Sequence, residues 1–192
     1  MTLRSFKRSS LTNTIKYQGM LVGNDAFIPN SYESIATATP TSGTSVTFSS
    51  ISGSYSHLQI RYNIKTSDNG SFILMRINGA TSSIYSQHYL NGDGSTASAG
   101  GSSALNTISR LQFPNGTSPT YPNVSVIDIL DYTSTTKNKT VRWLSGQDGN
   151  GSGEIVLGSA AYLATTAITS IEIYGITYQA GTSIALYGIK GA

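Results

Sequence analysis

His57 and His88 are the only histidines in the 192-residue chain, and either could act as a general base beside a serine nucleophile. Serine hydrolases need that pair together with an orienting aspartate. With 30 serines in the chain, a histidine would meet one by chance, and no Gly-x-Ser-x-Gly motif is present. We therefore predict structural or surface roles for both histidines, at the edges of strands.

Asp128 and Asp131 are the carboxylates that come closest to a catalytic pair. Glycoside hydrolysis needs two carboxylates at a set separation across the scissile bond. Residues three apart on a regular strand point to opposite faces, so these two cannot pair directly. We predict instead salt bridges with Lys137, Lys139 or Arg142 near the following turn.

Residues 148–154 read Asp-Gly-Asn-Gly-Ser-Gly-Glu and place oxygen-bearing side chains at every second position, as some calcium loops do. The glutamate at the twelfth position and the flanking helices of an EF-hand are missing. Three glycines in the string are also typical of a tight hairpin turn, because glycine accepts positive φ. The hairpin turn is the preferred interpretation, and calcium is the alternative.

The composition excludes several classes of protein. There is no cysteine, so neither disulfides nor thiolate metal sites are available. The sequence has no phosphate-binding loop, dinucleotide-binding glycine motif or zinc-ligand spacing, so we expect no cofactor. No run of residues is apolar enough for a membrane span. Charged residues make up only 11% of the chain, whereas 30 Ser, 23 Thr and 20 Gly are present. This balance favours an all-β domain rich in turns over a helical bundle.

Short apolar runs with a period of two, separated by turn residues, continue from Ser34 to the end of the chain. Residues 57–65 alternate strictly, and we predict that they form a hairpin with residues 71–77. Residues 124–132 and 168–174 have apolar side chains on both faces, which predicts central strands covered by other layers. Residues 91–103 and 114–122 are predicted to be long loops. The fold expected is a jelly-roll-like antiparallel β-sandwich of ten or eleven strands.

The basic charge lies mainly at the N-terminus. Residues 1–24 have a net charge of +4 and no acid, whereas residues 25–192 have a net charge of −1. We predict an extended arm over residues 1–33 and a β-sandwich domain over residues 34–192. The arm also has apolar side chains, which favours contact with an acidic protein surface or a sibling subunit over a free tail. The residues predicted to contact a partner are Arg4, Phe6, Lys7, Arg8 and Lys16.

Several segments together resemble a widespread group of structural proteins of tailed bacteriophages. They are residues 27–36, 46–61, 75–79, 85–95, 127–132, 137–142 and 186–192, in this order. The chain departs from the group's pattern at Ile77, where a phenylalanine is usual. Members are described as virion structural proteins, capsid decoration proteins or tail-fibre proteins, so no catalytic residue is implied.

The resemblance implies a non-enzymatic virion protein, and a short chain with an arm suits a capsid cement or decoration protein. Its expected partners are the major capsid protein and two further copies in a homotrimer, with no nucleic acid and no membrane. The alternative is a tail-fibre or tail-tip protein that binds host glycans. That alternative predicts exposed tyrosines or an exposed Trp143 beside amide and carboxylate groups.

Overall fold

The computed structural model describes residues 32–114 and 120–190, which contain twelve β-strands and no helix. The strands are β1 (Tyr32–Ala38), β2 (Ser45–Phe48), β3 (His57–Ile64), β4 (Ile73–Ile77), β5 (Tyr85–Gly92), β6 (Ala97–Leu105), β7 (Ile108–Gln112), β8 (Asn123–Leu130), β9 (Lys139–Asp148), β10 (Gly153–Tyr162), β11 (Ile171–Tyr174) and β12 (Ser183–Ile189). Strand β1 begins two residues before the predicted start of the domain.

The antiparallel pairing of the strands is nested. Strand β5 pairs with β6, β4 with β7, β3 with β8, β2 with β11 and β1 with β12. The hairpin of β9 and β10 is inserted between β8 and β5. The result is an eight-stranded sheet of order β1-β12-β3-β8-β9-β10-β5-β6 and a four-stranded sheet of order β2-β11-β4-β7. A long hairpin folded over two sheets is a jelly roll, so the predicted fold class is confirmed, with twelve strands in the described residues where ten or eleven were predicted.

The core lies between the two sheets, because every second residue of the central strands points inward. Two aromatic residues of the eight-stranded sheet also donate hydrogen bonds to the four-stranded one. The indole Nε1–H of Trp143 donates to the carbonyl of Arg110 at 3.1 Å, and the hydroxyl of Tyr85 donates to the carbonyl of Ile77 at 3.1 Å. These bonds satisfy polar groups that would otherwise be buried without partners.

The predicted hairpin between residues 57–65 and 71–77 is wrong. Strand β3 lies in the eight-stranded sheet and β4 in the four-stranded sheet, so the segment between them crosses from one sheet to the other. In that segment, Asp68 accepts a hydrogen bond from the backbone N–H of Thr177, and the carbonyl of Lys65 accepts one from Gln179 at 3.0 Å. A turn-like Asp-Asn-Gly string therefore serves a crossover and not a hairpin.

The predicted loop over residues 91–103 is also wrong, because most of it is strand β6. Its glycines lie opposite large side chains of β5: Gly100 pairs with Tyr89, and Gly101 pairs with His88. A Cβ on Gly101 would lie only 2.6 Å from Cδ2 of His88. Glycine is needed at these positions because side chains of β5 occupy the space where a Cβ would lie. The composition of the segment alone does not show this pairing.

Strand β8 is central in its sheet, as predicted, but within residues 32–114 and 120–190 another layer covers only one of its faces. Its inward residues Ile127 and Ile129 are fully buried, whereas Val124, Val126 and Leu130 on the outer face are exposed. The apolar residues on both faces therefore do not indicate burial on both faces. For residues 168–174, the strand is the shorter β11, which is central in the four-stranded sheet.

Candidate functional site

The outer face of the eight-stranded sheet has a continuous group of exposed aliphatic side chains, which we call the apolar face. It consists of Leu90, Val124, Val126, Leu144, Ile155 and Leu157, which are 37–57% exposed. Large aliphatic side chains concentrated on one surface of a domain mark interaction sites more often than single exposed ones do. The apolar face is therefore the candidate functional site.

Strand register brings these residues together from distant parts of the chain. Leu144 of β9 lies opposite Val126 of β8 on one side and Leu157 of β10 on the other, and Leu157 lies opposite Leu90 of β5. This first row continues to Ala99 of β6. The outward positions of five strands thus form one aliphatic row across the sheet, with large side chains on four of them.

A second row runs beside the first, offset from it by two residues on each strand. It contains Val124, Gly146, Ile155 and Gly92 in neighbouring register positions. The two glycines leave hollows between the aliphatic side chains, and all four residues line an open depression of about 620 Å³. The apolar face is therefore not flat, because hollows in the second row lie next to large side chains in the first.

Burial of the apolar face would supply a substantial driving force for association. A fully buried aliphatic side chain contributes about 1.5–3 kcal/mol, and these six side chains are roughly half exposed. Covering them would therefore contribute on the order of 6 kcal/mol per copy before the costs of association.

An ion pair borders one end of the apolar face, and acidic groups border the other end. Beyond the first row lies Arg142, which is paired with Asp128 across strands at 3.5 Å. Beyond the second row lie Asp148 at the β9–β10 turn and Asp93 at the β5–β6 turn. Backbone N–H groups of Thr96 and Ser95 hydrogen-bond to Asp93 and lower the pKa of its carboxyl to about 2, so this end remains acidic.

Apart from the apolar face, the same outer surface has a polar cluster near the sheet edge formed by β1. The rings of Tyr32 and Tyr187 stack with centroids 4.9 Å apart, and the guanidinium of Arg61 lies 5.5 Å from the Tyr32 ring. The side-chain amide of Gln59 donates to Asp128 at 2.8 Å. This cluster has tyrosine, amide and carboxylate groups of the kind that contact sugars.

Trp143 does not belong to that surface. Its side chain is only 1% exposed and lies in the core between the sheets. Of the aromatic residues that the glycan-binding alternative predicts at the surface, tyrosines are found there and the tryptophan is not.

The two histidines have different positions. His57 begins β3, where its Nδ1 accepts the backbone N–H of Asp131 at 3.0 Å. His88 lies inside β5 on the outer face, and its ring covers Gly101, so its predicted position at a strand edge is wrong.

The aspartates beside the β8–β9 turn form salt bridges, as predicted. Asp128 pairs with Arg142, and Asp131 pairs with Lys137. The hydrogen bond from the Lys137 ammonium holds the pKa of the Asp131 carboxyl below its ordinary value.

Lys139, the third predicted cation, has a different role because it is buried. Its ammonium donates to the carbonyls of Ser134, Lys137 and Thr165 at 2.6, 3.0 and 3.1 Å. Burial lowers the pKa of this ammonium. Through these hydrogen bonds, Lys139 joins the β8–β9 connection to the segment after β10. The sequence pattern did not indicate this role.

The calcium-like string forms the predicted hairpin turn between β9 and β10. Asp148 points to the outer face and accepts the backbone N–H of Asn150 at 2.9 Å. Glu154 points to the inner side and accepts from the amide of Asn91 at 3.0 Å. Burial raises the pKa of Glu154. The two carboxylates face away from each other, and in residues 32–114 and 120–190 no three His, Asp or Glu side chains are placed to share a metal ion.

The predicted partner contacts Arg4, Phe6, Lys7, Arg8 and Lys16 lie outside the described residues, as does most of the predicted arm. Within the part of the chain that the structure describes, no helix is long and apolar enough to cross a membrane. The chain matches no protein-family model, no curated protein and no solved structure.

Proposed function

We propose that this chain is a non-enzymatic structural protein of a bacteriophage virion, and specifically a capsid cement protein that binds and stabilises the assembled shell. The observation that carries the proposal is the apolar face, a binding surface made by four strands of one sheet. A surface of this size on a stable β-sandwich suits protein assembly better than turnover of a small substrate. The resemblance of the segments between residue 27 and the end to phage structural proteins supports the same function.

The arm supplies the attachment in this proposal. Arg4, Lys7, Arg8 and Lys16 give it positive charge without any acid in residues 1–24, and Phe6 adds an apolar anchor. Such a segment fits an acidic groove between major capsid protein subunits. A protein that binds only the assembled shell stabilises it by mass action, and several linked copies add avidity.

Co-sedimentation with purified capsids that lack this protein tests the attachment. The full chain is added in parallel with a chain that lacks residues 1–24, and circular dichroism checks that the truncated domain is folded. We expect the full chain to sediment with the capsids and the folded truncated chain to stay in solution. Equal binding of the two chains would contradict the role of the arm, and no binding of either would contradict the cement function.

A tail protein that binds host glycans is the second candidate, and the cluster of Tyr32, Tyr187, Gln59 and Asp128 favours it. Stacked tyrosines beside amide and carboxylate groups can hold a sugar ring through apolar contact and hydrogen bonds. A glycan array with the full chain and with the Tyr187→Ala variant tests this candidate. Binding that the variant loses would support it, and a blank array would count against it.

A further inference from the structure

We propose that a second copy of this chain occupies the apolar face, related to the first by a two-fold axis. The axis lies in the plane of the face, perpendicular to the strands, and passes between the two rows. The inference deepens the proposed function. It rests on that function because it takes the apolar face to be an assembly surface. It assigns that surface to pairing of the domains, in place of the homotrimer that the resemblance implied, and leaves the arm to contact the shell.

The arrangement of large and small residues favours this axis. Rotation about it places the first row of one copy over the second row of the other at the same strand. Leu144 then lies over Gly146 of the second copy, and Leu90 lies over Gly92. These two leucines enter the hollows above the glycines, whereas Val126 lies over Val124 and Leu157 lies over Ile155 as contacts between aliphatic side chains. The same contacts are made twice, as in any isologous interface.

The charged residues at the two ends are consistent with the same axis, with Arg142 also paired to Asp128 of its own copy. Arg142 lies one step outside the first row and Asp148 one step outside the second, both on the outer face of β9. The rotation therefore places Arg142 of each copy opposite Asp148 of the other. A two-fold axis parallel to the strands would instead bring the two acidic ends together.

The size of the contact is sufficient for a weak, specific pair. From Arg142 to Asp148 the overlap is about 20 Å long, and the five strands from β8 to β6 are about 24 Å wide, which gives on the order of 500 Å² per copy. The total is near the lower end of specific interfaces. We therefore expect pairing that depends on protein concentration.

Sedimentation velocity of the full chain over a range of concentrations tests the pairing. We expect a shift from one to two chain masses, and we expect Leu144→Glu to weaken dimerisation at least tenfold. Leu163→Glu is the matched control, because Leu163 is also exposed (47%) but follows β10 beyond the overlap. Melting curves of both variants check that each is folded.

Charge reversal tests the axis itself. In the Arg142→Glu variant two carboxylates would meet at each of these contacts, and in the Asp148→Arg variant two guanidinium groups would meet. Each variant alone is therefore expected to be monomeric at concentrations where the wild type dimerises. A mixture of the two is expected to dimerise, since both contacts then join opposite charges.

Three results would overturn the inference: a wild type that is monomeric at all concentrations, a closed trimer, or a dimer that Leu144→Glu leaves unchanged. A mixture no more associated than its components would overturn the proposed axis. None of these results decides whether the protein binds a capsid, which the co-sedimentation experiment tests separately.

Discussion

The indole ring of Trp143 lies directly on the backbone of Gly158, its cross-strand neighbour in the eight-stranded sheet. A Cβ at position 158 would overlap the ring, with Cη2 of the indole only 2.6 Å away. The ring can donate to the Arg110 carbonyl across the core because Gly158 has no side chain. The hydrogen bond from Trp143 to Arg110 joins the two sheets beneath β10, a strand that forms part of the apolar face.

We expect Gly158→Ala to lower the free energy of unfolding by about 2 kcal/mol, because the added methyl group displaces the indole in a closely packed core. Urea unfolding measures the change. Gly53→Ala is the control, since the nearest atom to a Cβ there is the Thr133 methyl carbon at 3.7 Å. Equal effects of the two substitutions would show that the contact with Trp143 does not constrain the core.

We expect Lys139→Met to destabilise the fold by about 3 kcal/mol, because three partly buried carbonyls lose a charged donor whose own side chain is buried. Lys137→Met is the matched control: its ammonium is exposed and pairs only at the surface with Asp131, so the expected change is less than about 1 kcal/mol. Chemical denaturation of both variants gives the comparison. A similar loss in the two would contradict the role assigned to Lys139.

Glu154 gives the unfolding free energy a defined dependence on pH. Burial raises its pKa above the ordinary value of 4.5, so the folded protein holds this proton more tightly than the unfolded chain does. The stabilising contribution of Glu154 to the free energy of unfolding is therefore present at acid pH. It is lost as the pH rises from 4.5 through the folded-state pKa.

We expect Glu154→Gln to remove this dependence. The free energy of unfolding of the variant, relative to that of the wild type, is therefore expected to be higher at neutral pH than at acid pH. Urea midpoints measured in steps from acid to neutral pH provide the test. A constant difference between the variant and the wild type at every pH would show that Glu154 has the same pKa in both states.

Strand β6 provides a test of the glycine-rich segment. Because β6 pairs with β5, we expect slow hydrogen exchange at alternate amides between Ala97 and Leu105. The amide of Gly94 in the exposed turn serves as the internal reference for fast exchange. Uniformly fast exchange over the whole segment would show that it is a loop, as its composition first predicted.

Most of the strands could be predicted from the sequence because alternation is a local property of the chain. Residues 57–65 show this clearly, and they form β3 almost as predicted. The partner of each strand is set by distant residues, so the assignment of residues 71–77 to a hairpin was wrong. Gly100 and Gly101 looked like loop residues because Tyr89 and His88, which fill the space above them, pair with them only in the folded sheet.

The candidate site was the least predictable part. Each of its strands shows aliphatic outward positions, but apolar residues on both faces of a strand are equally typical of a buried one. Leu144 and Leu157 become one surface only when the register of β9 and β10 is known. The salt bridges of Asp128 and Asp131 were predictable because their partners lie nearby in sequence.

The cement function is tested most directly by the copy number of this protein relative to the major capsid protein, measured by quantitative mass spectrometry of purified virions of the phage that encodes it. The proposal predicts a ratio near one or a sizeable fraction of it. A ratio far below that would place the protein in the tail and favour the glycan-binding candidate. Absence of the protein from the particles would contradict both.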